Sequence, residues 1–329
     1  MGGVDLEGEA GLGEEFAAAW GCGGEDEHGE IIAGSIVPAA SEQVGWWANG
    51  RGCDGVCRIS LTMTFADKEL GKRLEGAEAF ACMQFAKARN RLFPESGAEW
   101  TTVAWTTVVF DGVDAPTTQT FGLGMFEEVT EGALGEMEEF FSQRGSATMH
   151  EVCPHAGVAV MEKLCGRGYV PMEVSNVLYR TVEVPEGKLG DGIRVRAVGA
   201  DEAELWGKVS ARGWTHGHPE LEGFMKQMGA LCVAREQSPC FLAEVDGVAG
   251  AAGGLVLNEG VALFAGAATV PELRRRGLQG ALLAERMRYA AEAGCDLAMM
   301  VAEAGSESQR NAERKGFRVG YTRMKWRKG

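Results

Sequence analysis

The chain has 329 residues, 45% of them hydrophobic, and its 47 acidic side chains outweigh 32 basic ones to give a formal net charge of −15. That length and apolar content suit two packed cores, while the acidic balance excludes an extended nucleic-acid or anionic-membrane surface, since both need clustered positive charge. The 9 cysteines are odd in number and scattered, which reads as free thiols in a reducing cytoplasm and not as a disulfide scaffold.

Residues 1–60 form an acidic, glycine-rich segment. From Met1 to Glu30 there is neither a basic n-region nor an apolar run, so no signal peptide is expected. Cys22, His28, Cys53 and Cys57 lack the second ligand pair of a zinc site, and no metal is expected. Leu70, Leu74, Ala77, Ala81, Phe85, Ala88 and Leu92 recur at helical spacing and predict a long helix ending before Pro94. Trp100 to Phe110 is dense in Thr, Val and Trp and predicts a strand, followed by a turn at Phe110 to Val113 and a second strand over Thr118 to Phe126. Gly122-Leu123-Gly124 lacks the third glycine of a dinucleotide fingerprint and reads as a glycine pair in a strand or bulge. Gly132-Ala133-Leu134 opens a helix, Thr148 to Cys153 is a strand, and residues 185–192 are a linker rich in Gly and Pro. Beyond it, Asp201 and Glu204 resemble a capping box for a helix carrying Leu205, Trp206 and Val209. A second amphipathic helix carries Leu221, Phe224, Met225, Met228 and Leu231. The apolar run Val248 to Val270 is broken at Asn258-Glu259-Gly260, which makes it a hairpin and not a membrane span.

The segment from Val270 to Leu283 joins a basic, glycine-punctuated loop to an amphipathic helix. Free amides and the positive end of the dipole make such a helix start an anion cradle. Gly277 and Gly280 allow close backbone approach, and Arg274, Arg275 and Arg276 supply charge. With Arg274 and Gly277 in an Arg-x-x-Gly pattern, and Ser308 to Phe317 as a last helix leaving through Gly316-Phe317, residues 193–329 resemble the GNAT acyltransferase superfamily. The third position of the family's loop motif falls on Gln279, with Gly280 immediately after it.

A concealed repeat extends this reading. The turn Phe110 to Val113, the strand Thr118 to Phe126, Gly132-Ala133-Leu134, the strand Thr148 to Cys153 and Gly168-Tyr169 recur in order as Val245 to Val248, Val261 to Thr269, Gly280-Ala281-Leu282, Asp296 to Val301 and Gly316-Phe317. The expected fold is therefore α/β (α+β), with two tandem GNAT-like domains over 61–184 and 193–329, each a mixed, mostly antiparallel central sheet flanked by helices. Glu127, Glu128 and Glu131 stand where the second copy has arginines and would repel a pyrophosphate, so the first copy reads as degenerate.

The resemblance implies an acyl-CoA-dependent N-acetyltransferase that moves an acetyl group from acetyl-CoA to a primary amine of a small molecule, by direct attack in a ternary complex. It also implies that backbone of Ala268 and Val270 receives the pantetheine arm, that Arg275, Arg276, Gly277, Leu278, Gln279, Gly280 and Ala281 hold the diphosphate, and that Asn311 hydrogen-bonds the cofactor. A base is worth having, because an amine of pKa about 10.4 is almost wholly protonated at neutral pH. Glu303, Glu259, His216 and His218 are candidates, with Glu303 and His216 foremost; each is equally readable as a solvated loop residue. The family's leaving-group tyrosine position holds Ala312. The alternative reading is a non-catalytic CoA-binding sensor or scaffold. Neither nucleic acid nor membrane is expected as a partner; the chain is expected to be cytoplasmic, as a monomer or homodimer.

Overall fold

In the computed structural model, which describes residues 65–113, 115–214 and 222–329, the apolar stripe beginning at Leu70 forms α1 (Lys68–Leu92). Asp67 starts it by accepting the Leu70 amide at 2.9 Å, and Phe93-Pro94 ends it, proline having no amide to continue the ladder. The chain continues through β1 (Glu99–Val103), β2 (Thr106–Phe110), β3 (Gln119–Phe121), α2 (Glu131–Ser142), β4 (Thr148–Val152), α3 (Val158–Gly166) and β5 (Val170–Thr181). After the linker come β6 (Ile193–Ala197), α4 (Ala203–Trp214), α5 (Glu222–Ala234), β7 (Cys240–Val245), β8 (Val248–Asn258) and β9 (Val261–Thr269). The last elements are α6 (Leu278–Glu292), β10 (Leu297–Glu303), α7 (Glu307–Arg314) and β11 (Arg318–Lys328).

Three local expectations are corrected. The stretch Trp100 to Phe110 is a hairpin of β1 and β2, turning at Ala104 and Trp105 with φ of 46° and 58°; a primed turn without Gly, Asn or Asp gives no sequence signal. The strand expected over Thr118 to Phe126 stops at Phe121, because the chain turns at Gly122-Leu123-Gly124 and the Met125 amide bonds Gly122 O at 3.0 Å. The capping box expected at Asp201 and Glu204 does not form: two residues earlier Glu202 accepts the Gly199 amide, and Glu204 pairs with Lys208 at 2.6 Å.

The strands form one sheet of 11, in the order β1-β2-β3-β4-β11-β5-β10-β9-β8-β7-β6. Pairing is antiparallel except for β3 with β4 and β9 with β10, each pair joined across a helix. The mixed, mostly antiparallel sheet flanked by helices is the expected class. β5 lies between β10 and β11, while β11 lies between β4 and β5, so the last strand of each half is inserted into the strand set of the other. Residues Ala66–Gly329 accordingly belong to one compact unit.

Side-chain alternation assigns the two faces. Leu263, Ala265, Met299, Val177 and Tyr321 pack with Leu70, Leu74 and Ala77 of α1. Ala262, Phe264, Ala298, Met300 and Leu178 pack with Leu278, Leu282 and Met287 of α6 and with Ala312 of α7. α4 and α5 join α1 through Trp206, Val209, Leu231 and Phe85, and α2 and α3 pack on Val152 and Trp326. No helix among the described residues is long and apolar enough to cross a membrane.

Candidate functional site

The site begins where two parallel strands part. β9 and β10 pair only through Val261 to Leu263 and Leu297 to Met299. Just beyond, the register of β9 on β8 slips between Ala252 and Gly254, with Gly266 at φ 61°. Glycine takes this left-handed bulge without the steric cost a Cβ would bring. β10 meanwhile stays on β5 as far as Glu303 opposite Ser175. From Phe264 onward β9 has no strand partner on its β10 side, and a splay opens at the centre of the sheet.

α6 points its start at this region. Gly277 caps it at φ 83° without a capping side chain, and the first helical bond is Ala281 N–H to Gly277 O at 3.0 Å. The amides of Leu278, Gln279 and Gly280 therefore precede the ladder and have no protein partner among the described residues. α2 is built differently: Thr130 Oγ1 accepts the Ala133 amide at 3.1 Å and Glu131 occupies the first turn, closing that helix start with a protein group and a negative charge.

The residues expected to hold a cofactor are distributed unevenly about this start. Ala268 is buried and paired with Ala252, and the Val270 amide is already committed to Gly250 O at 2.9 Å. Arg276 pairs with Asp246 of the β7–β8 turn at 2.8 Å, and Arg275 adopts φ 61°. Thr269 Oγ1 lies 3.4 Å from Gln279 Oε1, and the side chains of Leu278 and Ala281 are buried against the sheet. Asn311 is exposed on α7, four residues before Lys315 and so on the same helical face. Sequence reading missed Lys315, whose Nζ lies 4.0 Å from where a Cβ on Gly280 would stand. An ammonium above a helix start is repelled by the macrodipole unless an anion lies between them. In sequence, Glu313-Arg314-Lys315 is indistinguishable from a solvated helix end.

On the opposite face, under α1, a cleft crosses the middle of the sheet. Its floor follows two rungs of the register. Glu151, Lys325 and Glu173 lie abreast on β4, β11 and β5, and Arg323, Ser175 and Glu303 lie abreast on β11, β5 and β10. Glu303 is exposed there, on the same face as Val301, so the structure brings it to the mouth of the splay. Glu259 sits at φ 46° in the β8–β9 hairpin turn, away from the cleft lining. His216 and His218 lie outside the described residues.

The cleft's charges are only partly balanced. Arg323 makes a bidentate pair with Glu78, both contacts 2.6 Å, and lies 3.0 Å from Glu151 Oε2 without hydrogen-bond geometry. Lys325 pairs with Glu173 at 3.0 Å. Behind them Glu75 accepts the Tyr321 hydroxyl at 2.7 Å, and burial pushes its carboxyl up to about 7. Sequence reading missed this network, although Tyr321, Arg323 and Lys325 alternate on one face of the final strand, an arrangement that marks buried charge whenever both faces are covered.

The buried thiols and the Tyr321 phenol are held protonated. Burial raises Cys82, Cys153 and Cys240, the last two to about 12, leaving them protonated and poorly nucleophilic. The Tyr321 phenol is likewise pushed well above its ordinary value by burial. Ala312 packs in the α6-side core. No group of His, Cys, Asp and Glu that could hold a metal occurs among the described residues.

Residues 204–317 match the acetyltransferase (GNAT) family. No curated protein matches the chain. Among solved structures it is similar to a GCN5-related N-acetyltransferase from Kribbella flavida, with 18% identity over 75% of this chain and 95% of that one at a TM-score of 0.53. It is also similar to a functionally unknown conserved protein from Staphylococcus epidermidis, with 10% identity over 69% of this chain and 92% of that one at a TM-score of 0.50. A tandem GNAT protein from the clavulanic acid biosynthesis pathway aligns with 13% identity over 60% of this chain and 68% of that one at a TM-score of 0.45. The fold is thus that of GNAT proteins, and the match to the acetyltransferase (GNAT) family runs from α4 to the exit of α7.

Proposed function

We propose that the chain is an acetyl-CoA-dependent N-acetyltransferase acting on a small-molecule amine, with one active half and one half that no longer binds the cofactor. The observation that carries this reading is the start of α6: three consecutive amides without protein partners among the described residues, a left-handed glycine cap, and the Lys315 ammonium beside Gly280. A diphosphate satisfies all of these together. Arg275, Arg276 and Asn311 would complete the hold. The splay beyond Leu263 gives the thioester arm a place beside Ala268; with the Val270 amide bonded to Gly250, that residue contributes shape and not a donor. The capped, acidic start of α2 explains why the first half is read as degenerate.

In the reaction, the amine nitrogen attacks the thioester carbonyl, a C–N bond forms, the C–S bond breaks, and the thiolate departs. The amine must first lose a proton, and Glu303 at the mouth of the splay is the group in place to take it, directly or through water. A thiol of pKa about 8.5 is a tolerable leaving group, so the lack of a suitably placed tyrosine is not fatal. With the cleft thiol Cys82 held protonated by burial, direct transfer is preferred to a covalent acyl-enzyme.

The test is acetyl-CoA consumption, read as free thiol release, against a panel of amines. Turnover is expected with wild type, and Glu303→Gln should lower kcat by about 100-fold, within the usual span for a lost general base, and flatten the pH profile of kcat/KM. Cofactor binding with no turnover on any amine would instead favour the non-catalytic sensor.

A further inference from the structure

We infer that Arg286 is a positioning residue: it fixes the start of α6 against the bulge in β9, so that the two ends of the cofactor, diphosphate and pantetheine arm, are held in register. The inference rests on the acetyl-CoA reading of that helix start and adds to it a side chain two turns further along α6.

Leu278, Leu282 and Arg286 recur at every fourth position and form one buried stripe of α6. β8 receives this stripe with glycines. A Cβ on Gly250 would stand 2.7 Å from Leu278 Cδ1, and one on Gly253 would stand 2.9 Å from Leu282 Cδ2 and 3.1 Å from Arg286 Nη1. The helix therefore sits on bare β8 backbone where the register of β8 on β9 slips, between Ala252 and Gly254. Arg286, 2% exposed, closes the contact: Nη1 donates to Gly254 O at 2.9 Å, and Nε donates to Leu282 O of its own helix at 3.3 Å. Its guanidinium also lies 5.2 Å from the centroid of the Phe264 ring. Phe264 is the first residue of β9 beyond its pairing with β10. One side chain thus bonds the strand opposite the bulge and stacks at the opening of the splay.

The helix start and the splay belong to different elements, and one ligand gains from both only if their separation fits its length. The leucines of the stripe hold α6 down on the sheet, but apolar contact is non-directional and does little to stop the helix sliding along it. A hydrogen bond to a backbone carbonyl is directional and weakens steeply when misaligned, so the Arg286 contact sets the position along the axis. Burying a guanidinium is costly, and an apolar side chain would fill the same space without that cost. A displacement of about 1 Å at the reacting atoms is enough to cost on the order of 100-fold in rate.

Two acetyl donors separate positioning from mere support: acetyl-CoA, which spans helix start and splay, and S-acetylpantetheine, which reaches the splay alone. With the full chain on the amine panel, Arg286→Met should lower kcat/KM for acetyl-CoA by about 10-fold or more beyond its effect on S-acetylpantetheine, collapsing the preference for the longer donor. Arg286→Lys, which keeps the charge and a donor, should restore most of that preference. Gly253→Ala leaves Arg286 in place while its methyl presses on Leu282 and Arg286, and it should show the same selective loss. Calorimetry with acetyl-CoA is the second readout, in which Arg286→Met and Gly253→Ala should both bind about 10-fold or more weakly than wild type. A merely structural arginine would lower Tm and weaken both donors alike. Equal losses on the two donors, or an undiminished preference and affinity in both variants, would overturn the inference and leave the acetyltransferase reading standing. Wild type that gives no heat with acetyl-CoA would overturn that reading itself.

Discussion

Glu75 is a carboxyl held under α1 with no exposure to speak of, bonded to Tyr321 and touched by Arg323, and burial lifts it from about 4.5 to about 7. Between those values the folded state holds more protons at this site than the unfolded chain does, so its contribution to stability falls as pH rises through the window and is constant above it. Full ionisation costs up to about 3 kcal/mol by the usual conversion. His150 works in the opposite sense. Buried between Thr120 Oγ1 at 2.7 Å and Tyr169 at 3.0 Å, it is pushed down to about 3 by desolvation, so its contribution rises with pH from about 3 to 6.5. The two slopes oppose each other in the wild type, and only a single-site difference separates them. Denaturant melts of wild type and Glu75→Gln from pH 4.5 to 8 should show the variant gaining relative stability up to pH 7 and then levelling; a pH-independent difference would refute the raised carboxyl.

At the scale of elements, the start of α6 was legible in the sequence and the splay that serves it was not. Arg274 to Gly280 announced a helix start without a capping side chain, which is a local property. The bulge at Gly266 depends on how β9 meets β8, a pairing that residue spacing does not record. The turn at Ala104-Trp105 escaped for the same reason, and so did Lys315, which reaches Gly280 only after α7 has packed. Two substitutions separate shape from charge at this helix start. Gly277→Val forces a β-branched residue to φ 83°, which should cost about 1–2 kcal/mol of stability, and a Tm equal to wild type would contradict the strained cap. Lys315→Glu removes no ion pair present among the described residues and should leave Tm in place while weakening acetyl-CoA binding by about 10-fold or more.

For the whole molecule, the repeat reads as strand, helix, strand and a glycine-aromatic exit in each half, and the structure has those elements in that order twice, within β3-α2-β4-α3-β5 and β9-α6-β10-α7-β11. It did not show that β5 and β11 change places at the centre, because strand order across a sheet is set by long-range pairing. Exchange makes each half incomplete. Cut at residue 184, the second half loses the β5 partner of both β10 and β11 and exposes two long strand edges. Circular dichroism of residues 185–329 alone should therefore show no cooperative melt, and co-expression with residues 61–184 should restore one; a stable isolated half would argue that the exchange is dispensable. The exchange also lines one cleft with strands of both halves.

The central claim is that the open amides of α6 grip the diphosphate of coenzyme A and that α2, capped by Thr130, does not. Isothermal titration of the full chain with acetyl-CoA tests both parts at once. Saturable heat with one equivalent bound per chain, lost or much weakened in Lys315→Glu, is the predicted result. An absence of heat, or two equivalents bound per chain, would contradict it.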